Sequence, residues 1–211
     1  MRVFTAYDLI RVFQNDGLRN PLFSILHFQV VLTFALCQYM SLAMLEYQQN
    51  LITRHHQMKK SKFSLTQHKD EFVELVKKTD HKTLAVWAID CAERVLPYFE
   101  EKYTEDHRPR NAIETLQTWI NTGAFRMAVI RKASLASHAA AREVGEDNAA
   151  RSAARAAGQA VATAHVPTHS IGAAIYALQA IHRATDSFDA DAAVAKERDW
   201  QYQHLLELIE S

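Results

Sequence analysis

With 211 residues and 24 basic against 24 acidic side chains, the chain is long enough for one well-buried core and carries no net charge to draw it to nucleic acid. Its two cysteines, Cys37 and Cys91, lie far apart and in no CxxC pair, which excludes a disulfide framework or a zinc knuckle and suits a reducing cytoplasm. Met1 to Asn20 interleaves Arg, Asp and apolar residues without a clean apolar core and cleavage site, so no secretory signal is read there.

Charge is less even along the chain than in total. Residues 58–69 carry four lysines and no acid, whereas residues 70–211 carry 16 basic against 21 acidic side chains, a difference of −5. A mildly acidic body weakly suits a cationic partner, and solubility explains it equally well.

Residues 1–57 differ in texture from the rest and read as an N-terminal extension. Leu22 to Leu45 is free of Asp, Glu, Lys and Arg and long enough to cross a bilayer as a helix, but His27, Gln29, Gln38 and several hydroxyls interrupt it. Membrane contact is expected only if this stretch is a spanning or interfacial helix. A third reading is favoured: Met58 opens MKKSKFSLTQHKDEF, which looks like the natural start of a small bacterial protein, so residues 1–57 are upstream sequence translated from an early start codon. The domain expected to fold is then 58–211.

From Ser64 onward the pattern is helical. Ser64 and Gln67 form a capping box, and Phe72, Leu75 and Val76 mark an apolar face as far as Lys78. Asp80 caps a helix whose inward stripe is Leu84, Trp87, Ala88, Cys91, Val95 and Phe99, with Pro97 expected to bend its last turns. Asp106 caps the next, with Pro109 in its first turn; Ile113, Leu116 and Ile120 face inward, Trp119 lies near the edge of that stripe, and Gly123 ends the segment. Ala124 to Val144 continues through Phe125, Val129, Ala133, Ala136 and Ala140. Asp189 starts a last helix carrying Trp200, Tyr202, Leu205, Leu208 and Ile209.

Between these lies the most unusual stretch, Asp147 to Asp186, with fourteen alanines and two glycines. So little side-chain bulk lets neighbouring helices approach on several sides, so it reads as a central helix, N-capped by Asp147 after Gly145. Pro167 removes a backbone hydrogen bond and must kink this helix near His165 or divide it in two. Period-2 alternation is nearly absent. The expected fold is all-α, a helical bundle or short array of antiparallel helical hairpins, with about six to eight helices around the Ala-rich one.

Three constellations bear on chemistry. His165 and His169, at i and i+4, can share a metal ion, with His138, Asp90 or Cys91 as conceivable further ligands. Against this, Val166 stands where a zinc protease holds its catalytic Glu, and Pro167 disturbs the register. The favoured account has both histidines packing at the break and bonding to carbonyls freed by Pro167. Asp90, Glu93 and Arg94 edge the Trp87 helix, and an Asp90–Arg94 pair at i, i+4 would contribute only about 0.3–0.5 kcal/mol. With Arg108 and Arg110 from the following helix start they are the candidate partner-binding surface or a buried ion network. Arg151 and Arg155 share roughly one helical face with the two histidines, a pattern that binds phosphate or supplies a solvated face. No Gly-rich phosphate loop or GxSxG elbow occurs, so neither an enzyme nor a cofactor is expected.

The run from Ala85 to Trp119, AVWAIDCAERVLPYFEEKYTEDHRPRNAIETLQTW, followed by RKASLASHAAAREV and AARAAGQAVATAHVPTHSIGAAIYALQAI, resembles the immunity-five-like family of bacterial putative immunity proteins of polymorphic toxin systems. The resemblance covers roughly residues 64–183. Trp87, Asp90, Glu93, Pro97, Arg108 and Arg110 carry it in the first half, and His138, Gly158, Gln159, His165, His169 and Tyr176 in the second. It implies a small, all-helical cytoplasmic protein that binds and neutralises a cognate toxin. It supplies no catalytic residues.

Overall fold

The computed structural model of the protein describes residues 40–42, 44–49, 63 and 70–211. The chain separates into two compact units, Met1–Gln57 and Met58–Ser211. In the first, residues 40–42 and 44–49 are helical, with Met40, Leu42, Met44 and Leu45 exposed. Most of Leu22 to Leu45, the Met58 start and the Ser64–Gln67 capping box lie outside the described residues. Among those described, no helix is long and apolar enough to cross a membrane.

The second unit is all-α, and no strand occurs among the described residues. Its helices are α1 Asp70–Lys78, α2 His81–Glu93, α3 Pro97–Glu100, α4 Arg108–Thr122, α5 Met127–Glu143, α6 Ala149–Ala162, α7 His169–Ala184 and α8 Ala190–Glu210. Helix α6 is the centre: it packs most extensively against α7 and α5 and also touches α2, α3 and α4. Ala153, Ala154, Ala156, Ala157 and Ala160 are wholly buried along it. A methyl side chain is what permits so many close neighbours at once.

Local backbone chemistry sets most boundaries. Asp80 Oδ1 accepts from the amides of Lys82 (2.9 Å) and Thr83 (3.1 Å), starting α2. Gly123 closes α4 at φ +67°, a left-handed conformation that an L side chain seldom adopts. Pro109 sits in the first turn of α4, where its missing amide costs least.

Several expectations are corrected. Pro97 does not bend α2 but ends it: the ring cannot donate to the Glu93 carbonyl, so α2 stops at Glu93 and Pro97 opens the short α3. Val95 and Phe99 stay buried beyond that break. The cap of α4 is His107 rather than Asp106, although Asp106 Oδ1 still accepts from the Arg108 amide at 3.1 Å. Asn148, not Asp147, caps α6, accepting from the Arg151 amide at 3.1 Å; Asp147 turns outward to Arg183 at 2.5 Å. At Pro167 the second of the two expected outcomes holds: the helix divides, α6 ending at Ala162 and α7 beginning at His169, because the residue before proline is pushed out of helical geometry.

The inward face of α5 is only partly the expected one. Ala140 is buried and Ala133 packs partly buried against the core, whereas Phe125, ahead of the helix, and Val129 are exposed, and Ile130, Ser137 and Ala141 are buried instead. Two serines explain the phase: Ser137 Oγ donates to the Ala154 carbonyl at 2.7 Å and Ser134 Oγ to the Gly158 carbonyl at 2.8 Å. A thin alanine helix leaves its carbonyls within reach of a neighbour's short hydroxyls. On α8, Leu205 is buried, Trp200, Tyr202 and Leu208 pack partly buried against the core, and Ile209 is exposed.

Candidate functional site

The charged edge foreseen on α2 and α4 exists, but as three separate interhelical clusters. Asp90 and Arg94 do not pair with each other; both reach α8. Asp90 Oδ2 accepts from His204 Nε2 at 2.7 Å. Arg94 donates through Nε and Nη2 to the two carboxylate oxygens of Glu197, both at 2.8 Å, and its guanidinium lies 3.8 Å from the centroid of Trp200. Glu197 is buried. Its hydrogen bonds raise the Arg94 pKa against the opposing effect of burial.

Arg110 bridges Glu93 at 2.5 Å and Glu100 at 2.8 and 3.0 Å, tying α4 to α2 and α3. Arg108 serves another junction, pairing with Asp106 at 2.6 Å and with Glu143 on α5. These contacts hold the carboxyls of Asp106 and Glu143 below the usual range, chiefly through hydrogen bonds from Arg108. Glu93 and Arg110 are thus brought together as foreseen, whereas Glu100, Glu143, Glu197 and His204 were missed as partners. Nothing local marks the last three, since all come from distant helices.

The histidines gather where α5, α6 and α7 meet. The ring of His138 passes so close to Gly158 that a Cβ there would stand 3.0 Å from it, tight enough that the ring would have to shift by a few tenths of an ångström. The His169 Nδ1–H donates to Gln159 Oε1 at 2.7 Å, and the ring centroids of His165 and His169 are 5.1 Å apart. Neither histidine takes the carbonyl released by Pro167. That group belongs to Thr163, four residues back, and it accepts from His81 Nε2 on α2 at 2.6 Å. His165 Nδ1 is buried without a hydrogen-bond partner. Among the described residues no group of three or more His, Cys, Asp or Glu side chains is placed to hold a metal ion. Cys91 is fully buried, and burial pushes its thiol pKa well up, so the inert form prevails.

Burial lowers the pKa of His138, reinforced by Arg155, Arg142 and His169; burial also lowers that of His169, reinforced by His165. A base whose folded pKa lies below its unfolded value binds protons better when unfolded. Stability is therefore present above the unfolded pKa of 6.5 and declines as pH falls below it towards the folded value. The expected result is a melting temperature that drops between about pH 7 and pH 5, with a shallower slope in His138→Gln. A slope identical in the two proteins would remove His138 from this account.

Comparison with known proteins adds the family. No curated protein and no solved structure matches the chain. The sequence pattern of the Imm-5 like putative immunity protein family matches residues 74–208. That span starts ten residues later than the resemblance read from the sequence and reaches Leu208 in α8, so it includes Glu197, Gln201 and His204 as well as His138, His165 and His169. With helices α2 to α7 wholly inside the match, the chain belongs to the Imm-5 like putative immunity protein family.

Proposed function

We propose that the protein binds and neutralises a cognate bacterial toxin in the cytoplasm through a protein–protein interface, as the immunity component of a polymorphic toxin system. The family match over residues 74–208 carries this reading. The ion pair and the aromatic-stacked guanidinium of Arg94 are internal to the fold, and the thiol of Cys91 is held out of reach, so the reading rests on a binding surface rather than on a reactive group. Blocking a toxin by occupying its active surface requires a rigid partner-facing patch and no reactive group. Within this reading the edge of Asp90, Glu93, Arg94, Arg108 and Arg110 acts by holding helices in register, because each of its charged groups already has a hydrogen-bonded partner inside the chain.

The test is co-expression of the full chain with the products of neighbouring genes, scoring growth and co-elution. Rescue of growth with a stable complex supports immunity and identifies the toxin. Absence of rescue against every toxic neighbour would remove the reading.

A further inference from the structure

The overall acidity of residues 70–211 conceals a segregation. Residues 124–184, spanning α5 to α7, carry seven cationic against three acidic side chains, while the remainder of 70–211 carries nine against eighteen. One of those three acids, Glu143, is engaged by Arg108. Another, Asp147, serves two cations, Arg183 at 2.5 Å and Arg151 at 3.6 Å.

The packing then concentrates this charge. Helix α6 is buried everywhere except at Ala149, Arg151, Arg155 and Gln159, so its solvent-facing line is an i, i+4 ladder with two guanidinium groups. His138 and Arg142 of α5 flank it on one side, His169 and Tyr176 of α7 on the other; Arg155, Arg142 and His169 all act electrostatically on His138. Arg155 lies 5.6 Å from the Tyr176 ring centroid, a contact with a π face rather than an anion. Neither Arg155 nor Arg142 forms an ion pair among the described residues, and the Nε of Arg151 is buried with no acceptor. Arg94, Arg108 and Arg110, by contrast, each meet a carboxylate within 3 Å. A half-buried cation without a counter-ion, as Arg155 is, is costly to the isolated fold and gains most from an anion supplied by a partner, with the exposed Arg142 beside it.

We propose that the line of Arg151 and Arg155 on α6, with Arg142, His138 and His169 beside it, is the surface that docks the toxin, and that it receives a carboxylate-rich patch of that protein. The proposal rests on the immunity reading for the identity of the partner. Protein carboxylates fit better than a nucleic-acid backbone. The immunity reading makes the partner a protein, and the chain as a whole carries no net charge to draw in a long polyanion, whereas a local acidic patch feels mainly the strip, within a screening length of roughly 10 Å.

The experiment has two arms. In the first, the full chain is titrated at low salt with hexaglutamate, with a uridine hexanucleotide as competitor class, following the ring signals of His138 and His169. Hexaglutamate should shift both and bind wild type about tenfold more tightly than Arg155→Glu, with Arg155→Lys and the α8 surface variant Lys196→Glu close to wild type. Where Arg155→Glu loses helical circular dichroism, Arg142→Glu on the exposed face of α5 replaces it. No shift, an Arg155→Glu affinity equal to wild type, or tighter binding of the hexanucleotide overturns the proposal. In the second arm the variants meet the toxin that wild type neutralises. Loss of rescue in Arg155→Glu and retention in Arg155→Lys support the surface; equal rescue by both places docking elsewhere and leaves immunity standing. Hexaglutamate binding at the strip without neutralisation of any toxin by wild type ends the immunity reading while upholding the strip as a site for acidic protein surfaces.

Discussion

Trp87→Ala is expected to destabilise the fold by about 3–5 kcal/mol, the range for emptying a large aromatic site in a core. Trp87 is wholly buried in α2, with the Phe72 ring 5.6 Å away, centroid to centroid. It does more than fill space. Its Nε1–H donates to the backbone carbonyl of Gln201 at 2.8 Å, and the Gln201 side-chain amide donates to the Ala174 carbonyl at 3.2 Å. One indole therefore joins α2 to α8, whose next contact is α7. Truncation opens a cavity beside Phe72 and strands the buried Gln201 carbonyl. Trp87→Phe keeps most of the volume and loses only the donor, for an expected cost of about 1–2 kcal/mol beyond repacking. Urea unfolding followed by far-ultraviolet circular dichroism measures both. A Trp87→Ala loss below about 1 kcal/mol would mean the core collapses around the gap and that α8 is not anchored there.

The second large effect is expected at Arg94. Arg94→Ala leaves the Glu197 carboxylate, 5% exposed, beside Trp200 without its two charge-assisted hydrogen bonds. Removing one member of a fully buried pair costs about 3–5 kcal/mol. Arg94 is itself 41% exposed, so water reaches the gap, and about 2–3 kcal/mol is the expected loss, on the order of a 10 °C fall in melting temperature. The diagnostic is the double mutant. Arg94→Met with Glu197→Met should be more stable than Arg94→Ala alone, because no charge is left stranded. Additive losses across the two sites would show that the pair does not act as a unit.

These two residues also mark how far the sequence could be read. Trp87 was legible as core because helical spacing and side-chain size alone place it on an inward stripe. Arg94 was legible as important and misread as to partner. The opposite charge one helical turn before it is Asp90, yet its carboxylate lies 103 residues away, and the partner of Asp90 lies 114 away. Hydrogen bonds and ion pairs are short-ranged and non-periodic, so no spacing in a single sequence announces them.

Those features that depend on a few consecutive residues were written into the chain directly. Asp80 starts a helix and Gly123 ends one, Pro97 and Pro167 break two more, and the run of alanines makes α6 the helix that others surround, because backbone geometry and side-chain volume act within one or two turns. Features that require two distant segments to meet were not. Ser137 rather than Val129 lines the inner face of α5, His81 takes the carbonyl that Pro167 releases at Thr163, and a chain with no net charge presents Arg151 and Arg155 on a cationic strip. Each depends on which groups remain unpaired once helices have packed, and that remainder is a property of the assembled fold.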